Sequence, residues 1–183
     1  MEGFGCRVVE DESSSYGSVC REGLSMRNWM IIIGTLFLVL AGCTSNKEAV
    51  TLPDNIPEHV SEKDFEEIDW ERKAEPFADG NMIGNENKTG VIGMDQPSLE
   101  GQKWMWHLWG VEDTELTVVG YHRESGTVHQ ILAGAWTIPL GGENNGADSH
   151  APSSVIVPKK GEWAMLVYTG DSLFDTLIYE IEK

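Results

Sequence analysis

Glu115-Leu-Thr-Val-Val-Gly-Tyr-His-Arg-Glu-Ser-Gly-Thr-Val-His-Gln-Ile-Leu-Ala-Gly-Ala-Trp-Thr-Ile138 is the stretch whose reading decides the fold. Two runs rich in valine, isoleucine, threonine and aromatics flank a polar turn at Glu124-Ser125-Gly126, a composition that favours strands over helix. The first run predicts a strand over Glu115–His122 and the second a strand over Thr127–Ile138. In the second, Val128, Leu132, Trp136 and Ile138 fall on even positions, while Thr127, His129 and Thr137 are polar. That is the period of a half-buried strand. A three-residue turn with Gly126 left-handed suits the sequence; it pairs Arg123 with Thr127 and sets His122 against Val128. On that register His122 and His129 do not stand opposite each other, so they make no zinc pair.

Working outward, similar short runs recur at Met82–Gly84, Gly90–Met94, Lys103–Trp109, Ser154–Val157, Glu162–Tyr168 and Phe174–Ile181. Glycine, asparagine and proline separate them, and no segment of helical length is periodic. In the last run Leu177, Tyr179 and Ile181 alternate inward, with Asp175 the exception. Lys103–Trp109 is apolar on both faces, which suits a central, covered strand. The expected fold is all-β, an immunoglobulin-like antiparallel β-sandwich over residues 76–183.

Ahead of it, Met26-Arg-Asn-Trp-Met-Ile-Ile-Ile-Gly-Thr-Leu-Phe-Leu-Val-Leu-Ala-Gly-Cys43 has a basic start and an apolar run too short to span a bilayer. Leu40-Ala41-Gly42-Cys43 fits a lipobox, so residues 26–42 read as a lipoprotein signal peptide and Cys43 as the lipidated first residue. Two acyl chains hold a protein on a membrane where one does not. Residues 1–25 are net acidic, unlike a signal-peptide start, and read as a misassigned extension before Met26. Residues 43–75 read as a lipidated, flexible tether containing Pro53 and Pro57. Ser61-Glu62-Lys63-Asp64 resembles a capping box, so this tether can hold a short helix.

A chain starting at Cys43 has 141 residues, one domain's worth, and no thiol besides the lipidated one. Disulfides, iron–sulfur clusters and cysteine catalysis are thereby excluded. The formal charge of −17 becomes −15 once five acids and three bases before Cys43 are removed. Such a surface does not bind nucleic acid, which needs lysine and arginine to displace counterions. No phosphate loop or serine-nucleophile elbow occurs, so the sequence calls for no cofactor and no enzyme.

The densest polar stretch is Gly141–Ser154. Glu143, Asn144, Asn145 and Asp148 are oxygen donors of the kind calcium prefers, and Asp148 with His150 has the composition of an acid–base pair. The glycines and Pro152 equally suit a structural crossover loop. His107 and Trp109, on the strand apolar on both faces, complete the candidate surface.

Lys103-Trp-Met-Trp-His-Leu-Trp-Gly110, Leu116-Thr-Val-Val-Gly120, Asn144-Asn-Gly-Ala-Asp-Ser-His-Ala-Pro-Ser153 and Pro158-Lys-Lys-Gly-Glu-Trp163 resemble, in order, the uncharacterised YhfM-like lipoproteins of spore-forming Gram-positive bacteria. The resemblance covers residues 76–182. It implies a β-sandwich of unknown function on the outer face of the cell membrane, with no catalytic residues to carry over. The expected role is binding a protein or cell-envelope component. Alternatives are a solute- or metal-binding lipoprotein serving a transporter, and a hydrolase using Asp148 and His150. If Cys43 is the lipid site, Cys43→Ala moves the protein from the membrane to the soluble fraction; continued sedimentation with membranes would contradict lipidation.

Overall fold

The structure, a computed structural model, describes residues 49–95 and 99–182. The readings of residues 1–25, of the signal peptide 26–42 and of Cys43 lie outside the described residues.

Two antiparallel sheets face each other. The first has the order β1-β2-β3-β4-β8, with β1 Glu75–Phe77, β2 Met82–Asn85, β3 Thr89–Ile92, β4 Gln102–Leu108 and β8 Ser149–Val155. The second has the order β10-β9-β5-β6, with β5 Glu115–His122, β6 Thr127–Gln130, β9 Gly161–Thr169 and β10 Ser172–Ile181. A further strand, β7 Thr137–Pro139, also pairs with β5. The all-β expectation thus holds. Trp104, Trp106 and Leu108 of β4 meet Leu116 and Val118 of β5, Trp163, Met165 and Val167 of β9, and Leu177 and Ile181 of β10. The buried Trp106 indole N–H donates to Ser153 Oγ at 2.9 Å. Gly120 leaves room in this core: a Cβ there would lie 2.6 Å from Ile131 Cγ2 and 3.3 Å from the Trp163 ring.

The strand expected over Thr127–Ile138 is two strands with a jog. Val119 pairs with Gln130, but Thr117 pairs with Thr137. The chain between leaves its sheet and crosses to the edge of β8, where Ala133 N–H donates to Ser154 O (2.8 Å) and Ile156 N–H to Ile131 O (2.9 Å). One edge of the sandwich is closed this way. An even-position face therefore does not run through: Val128 packs on the outer side of the second sheet, Leu132 and Ile138 between the sheets. The turn before it is also one residue longer than expected. His122 pairs with Thr127, and Arg123–Gly126 form the turn, with Gly126 left-handed at φ 62°.

The outer side of the second sheet is apolar too: Val119, Val128, Ala164, Leu166, Tyr168 and Ile178. The amino-terminal segment covers it with Val50, Leu52, Ile56, Val60, Phe65, Ile68 and Trp70. The flexible-tether reading of residues 43–75 is corrected accordingly: from residue 50 onward the segment is part of the fold, because its spaced apolar side chains have a sheet face to bury against. The short helix is present as α1, Glu62–Glu66, with Asp64 accepting from Ser61 N–H at 3.0 Å. The same carboxylate accepts from the Tyr168 hydroxyl at 3.0 Å. Burial, then the neighbouring Asp64 charge, pushes that hydroxyl well above its ordinary pKa. Farther along, Lys73 and Arg123 both bind the Glu162 carboxylate, and Ala74 N–H donates to Ile178 O at 2.9 Å.

The exception in the last strand, Asp175, is buried at a bulge in β10. Asn85 Nδ2 of the other sheet lies 2.9 and 3.0 Å from its two oxygens, and the Arg72 guanidinium lies 3.7 Å away. A buried carboxylate that loses a partner is costly. Asn85→Ala should lower stability by about 2–4 kcal/mol, read as a lower urea midpoint at unchanged slope; an unchanged midpoint would show that Asp175 does not depend on Asn85. Glu162 supplies a pH test. Burial alone would raise its pKa, but Lys73 and Arg123 bring it below the ordinary 4.5. The pair's contribution is therefore complete at neutral pH and is lost as pH falls below about 4.5 through the lower folded-state value. Glu162→Gln should flatten that part of the acid unfolding curve.

Candidate functional site

The hairpin at the end of the sandwich where β4 turns into β5 is built by local turn chemistry. Asn145 (φ 48°) and Gly146 (φ 81°) both take positive φ, the Asn-Gly signature of a tight hairpin turn. Asn144 and Ala147 exchange backbone hydrogen bonds at 3.0 and 2.9 Å; Gly141 and His150 do so at 2.7 and 3.2 Å. Gly141–Ser154 does carry the chain from β7 of the second sheet to β8 of the first, as the crossover reading expects, but it does so as a hairpin running straight into β8 and not as a long loop. β8 begins at Ser149, five residues before the strand expected at Ser154–Val157.

The hairpin is fastened onto β4. The Trp109 indole N–H donates to Gly146 O at 2.7 Å, and Gly110 N–H donates to Asp148 Oδ2 at 2.6 Å. His107 is fully buried beneath it, with Nε2 3.3 Å from Asn144 Oδ1 and 3.1 Å from Asn145 Nδ2. The ring can therefore donate to one amide or accept from the other. His150 sits opposite His107 across the β4–β8 ladder, and its Nδ1–H donates to Gly142 O at 2.7 Å. Phe77 of β1 meets the edge of Trp109, ring centres 6.0 Å apart.

The residues singled out from sequence do gather here, in different roles. Asn144, Asn145, Asp148, His107 and Trp109 hold the hairpin; Glu143, Asn145 and Asp148 face solvent around a shallow depression. Asp148 and His150 spend their hydrogen bonds on separate backbone groups, Gly110 and Gly142, so they form no acid–base pair. Among the described residues, no three of histidine, cysteine, aspartate and glutamate converge on a point. Phe77 was missed: Glu75-Pro76-Phe77 is too short to carry strand periodicity.

Residues 59–179 match DUF4871, a domain of unknown function. The chain belongs to the DUF4871 family. A crystal structure of a candidate lipoprotein from Bacillus anthracis has a similar fold. It aligns at TM-score 0.57 and 19% identity, over 70% of this chain and 97% of that one. No curated protein matches the sequence. Among the described residues of this DUF4871 chain, no helix is long and apolar enough to cross a membrane.

At the opposite end of the sandwich lies a polar group that the sequence reading dissolved into separate residues. His122 and His129 both pack on the Trp163 ring, at 4.9 and 5.3 Å. The His122 ring closes the turn: its Nδ1 accepts from Ser125 N–H (3.2 Å), and its Nε2 lies 2.7 Å from Lys160 O and 2.9 Å from Glu124. Lys159 Nζ donates to the hydroxyls of Ser125 (3.1 Å) and Thr127 (3.4 Å).

His107 makes the hairpin sensitive to pH. Burial holds its pKa below the ordinary 6.5, outweighing the bonds from Asn144 and the Met105 backbone; His150 lowers it further. The unfolded chain thus binds the proton first, and stability is lost as pH falls from 6.5 through the folded-state value. Between about pH 7 and pH 5, hydrogen exchange at the Asn144 and Ala147 amides, corrected for intrinsic rates, should accelerate in the native chain and stay flat in His107→Leu. Equal pH dependence in both would remove His107 from the account.

Proposed function

We propose that this chain is a lipid-anchored protein on the extracytoplasmic face of the cell membrane whose sandwich presents the Gly141–His150 hairpin to a protein or polymer of the cell envelope. The observation that carries the reading is the placement of the hairpin. It stands at the end of the sandwich away from Ala49, Thr51, Leu52 and Pro53, which lie beside the β5–β6 turn. A surface at that end lies across the sandwich from the residues that lead back toward Cys43 in the sequence. Its backbone is held by paired hydrogen bonds and by Trp109, so little ordering entropy is spent on association. Glu143, Asn145 and Asp148 beside Trp109 and Phe77 supply the aromatic-centred, polar-rimmed surface that protein interfaces favour.

The lipobox at Leu40–Cys43 and the fold likeness to a candidate lipoprotein support the anchored part of this reading, and the likeness to YhfM-like lipoproteins belongs with it. Binding rather than catalysis is proposed because Asp148 and His150 of the hairpin, and His107 beneath it, are engaged with backbone and amide groups.

The test is photo-crosslinking on intact cells from a crosslinking residue in place of Asn145, read by mass spectrometry. One recurrent envelope component should be captured, and Trp109→Ala, which leaves Cys43 anchoring untouched, should reduce its yield at least about tenfold. A yield unchanged by Trp109→Ala, or capture equal to that from position 129 at the other end, would overturn the assignment of the surface.

A further inference from the structure

The end of the sandwich opposite the hairpin has its own composition. Three large apolar side chains are markedly exposed among the described residues: Ile156 at 50%, Leu173 at 38% and Leu99 at 37%. Two of them, Ile156 and Leu99, lie at this end, just past β8 and just before β4; Gly101 lies against Ile156. The backbone N–H of Ile156 is fixed to Ile131 O, so the side chain is held outward by the jog that closes the sandwich edge. Lys159 and Lys160 follow within four residues, and Lys103 stands on the neighbouring strand, donating to Ser154 Oγ. Lys159 bonds only to the hydroxyls of Ser125 and Thr127, with no carboxylate within ion-pair distance among the described residues. Acids also share this end: Glu124, which is held by His122 and by the Glu162 N–H, Glu100, Glu182 and, beside Glu182, Asp95 and Glu180.

The amino-terminal segment also enters here. Ala49, Thr51, Leu52 and Pro53 line a groove with Tyr121, Ser125, Gly126, Thr127 and Val128. Cys43 precedes Ala49 by six residues, which span at most about 20 Å when fully extended. An anchor at Cys43 therefore holds Ala49, and this end with it, within about that distance of the headgroups.

We propose that this end docks on the surface of an anionic lipid bilayer, with Ile156 and Leu99 inserted at the headgroup boundary and Lys159 and Lys160 on lipid phosphates. The inference rests on the lipid-anchored reading above. A mature charge of −15 repels such a surface, so docking needs the anchor to supply a high effective concentration. It also needs an end where lysine ammoniums lack carboxylate partners. Exposed apolar side chains with lysines beside them are what a bilayer boundary accepts. Docking would fix the domain upright and aim the hairpin outward.

The test uses the full-length, lipidated protein in vesicles of equal parts phosphatidylglycerol and phosphatidylcholine carrying nitroxide-labelled lipid. A fluorophore is attached in turn through Ile156→Cys and through Leu173→Cys, an exposed leucine at the opposite end. Lipid quenching at position 156 should exceed that at 173 at least about threefold, and Lys159→Glu with Lys160→Glu should abolish the difference. Equal quenching at both positions, in protein that floats with the vesicles, overturns docking while anchoring stands. Undiminished quenching in the double lysine variant also overturns it. Protein that does not float with the vesicles removes the anchored reading, and docking with it.

Discussion

β9 buries every residue from Trp163 to Thr169, and a strand apolar on both faces needs two covers. Trp163, Met165 and Val167 point into the core between the sheets, where β4 supplies three large side chains. Ala164, Leu166 and Tyr168 point the other way, and among the described residues the amino-terminal segment lies there to cover them. Much of the molecule follows from that second demand. The segment must lie across the second sheet before the chain enters β1, so its start is fixed beside the β5–β6 turn and its end beside Ile178. The end of the sandwich at which residues 49–53 lie is thus set by the packing of β9.

The two sheets are joined at their edges by different means. On the β8 side, residues 131–133 step out of the second sheet and hydrogen-bond to the first, leaving Leu132 opposite Val155, before Trp136 returns to β5. Across the other side, Asp175 of β10 reaches Asn85 of β2. The first join consumes backbone groups that would otherwise form an open edge prone to pairing with another chain. The second fixes the relative position of the sheets through one buried charge, which has few alternative partners. Loss of either would leave apolar area buried but the alignment of the sheets poorly specified.

How much of this was legible varies with the length scale of the signal. The strand Glu115–His122 was readable to the residue because its β-branched and aromatic composition and the turn residues after it agree there. The break in Thr127–Ile138 was hidden because the five extra residues carry apolar side chains at even positions, just as a continuous strand would. Five is odd, so the same parity lands on opposite faces before and after the jog, and no periodicity argument sees that. The covering segment was missed because Val50, Leu52, Ile56 and Val60 sit among prolines and acids with no regular period. Its trace lay elsewhere, in the unbroken Trp-Ala-Met-Leu-Val-Tyr run of β9, which already implied a second cover. At the candidate site, the residues were found and their roles were not. Asn145-Gly146 is a strong hairpin signal, but its flanks of glycine, glutamate and aspartate are poor strand formers. The bond from Trp109 to Gly146 joins residues 37 apart and leaves no local mark.

The two ends of the sandwich differ in what their side chains are doing. At the hairpin end, polar groups are turned inward: His107 answers two amides, Asp148 takes a backbone N–H, and Trp109 gives up its indole proton. Acidic atoms left over face solvent, where their hydration costs nothing and their repulsion keeps nonspecific contacts away. At the other end, apolar side chains face outward and a lysine is satisfied by hydroxyls instead of carboxylates. A domain free in solution gains nothing from that asymmetry, since exposed isoleucine and leucine are tolerated but not stabilising. A domain held by its amino-terminal end beside a lipid surface does gain, because only one of its ends meets lipid. The polarity of the molecule, set by the way β9 must be covered, is therefore the physical link between its packing and the role proposed for it.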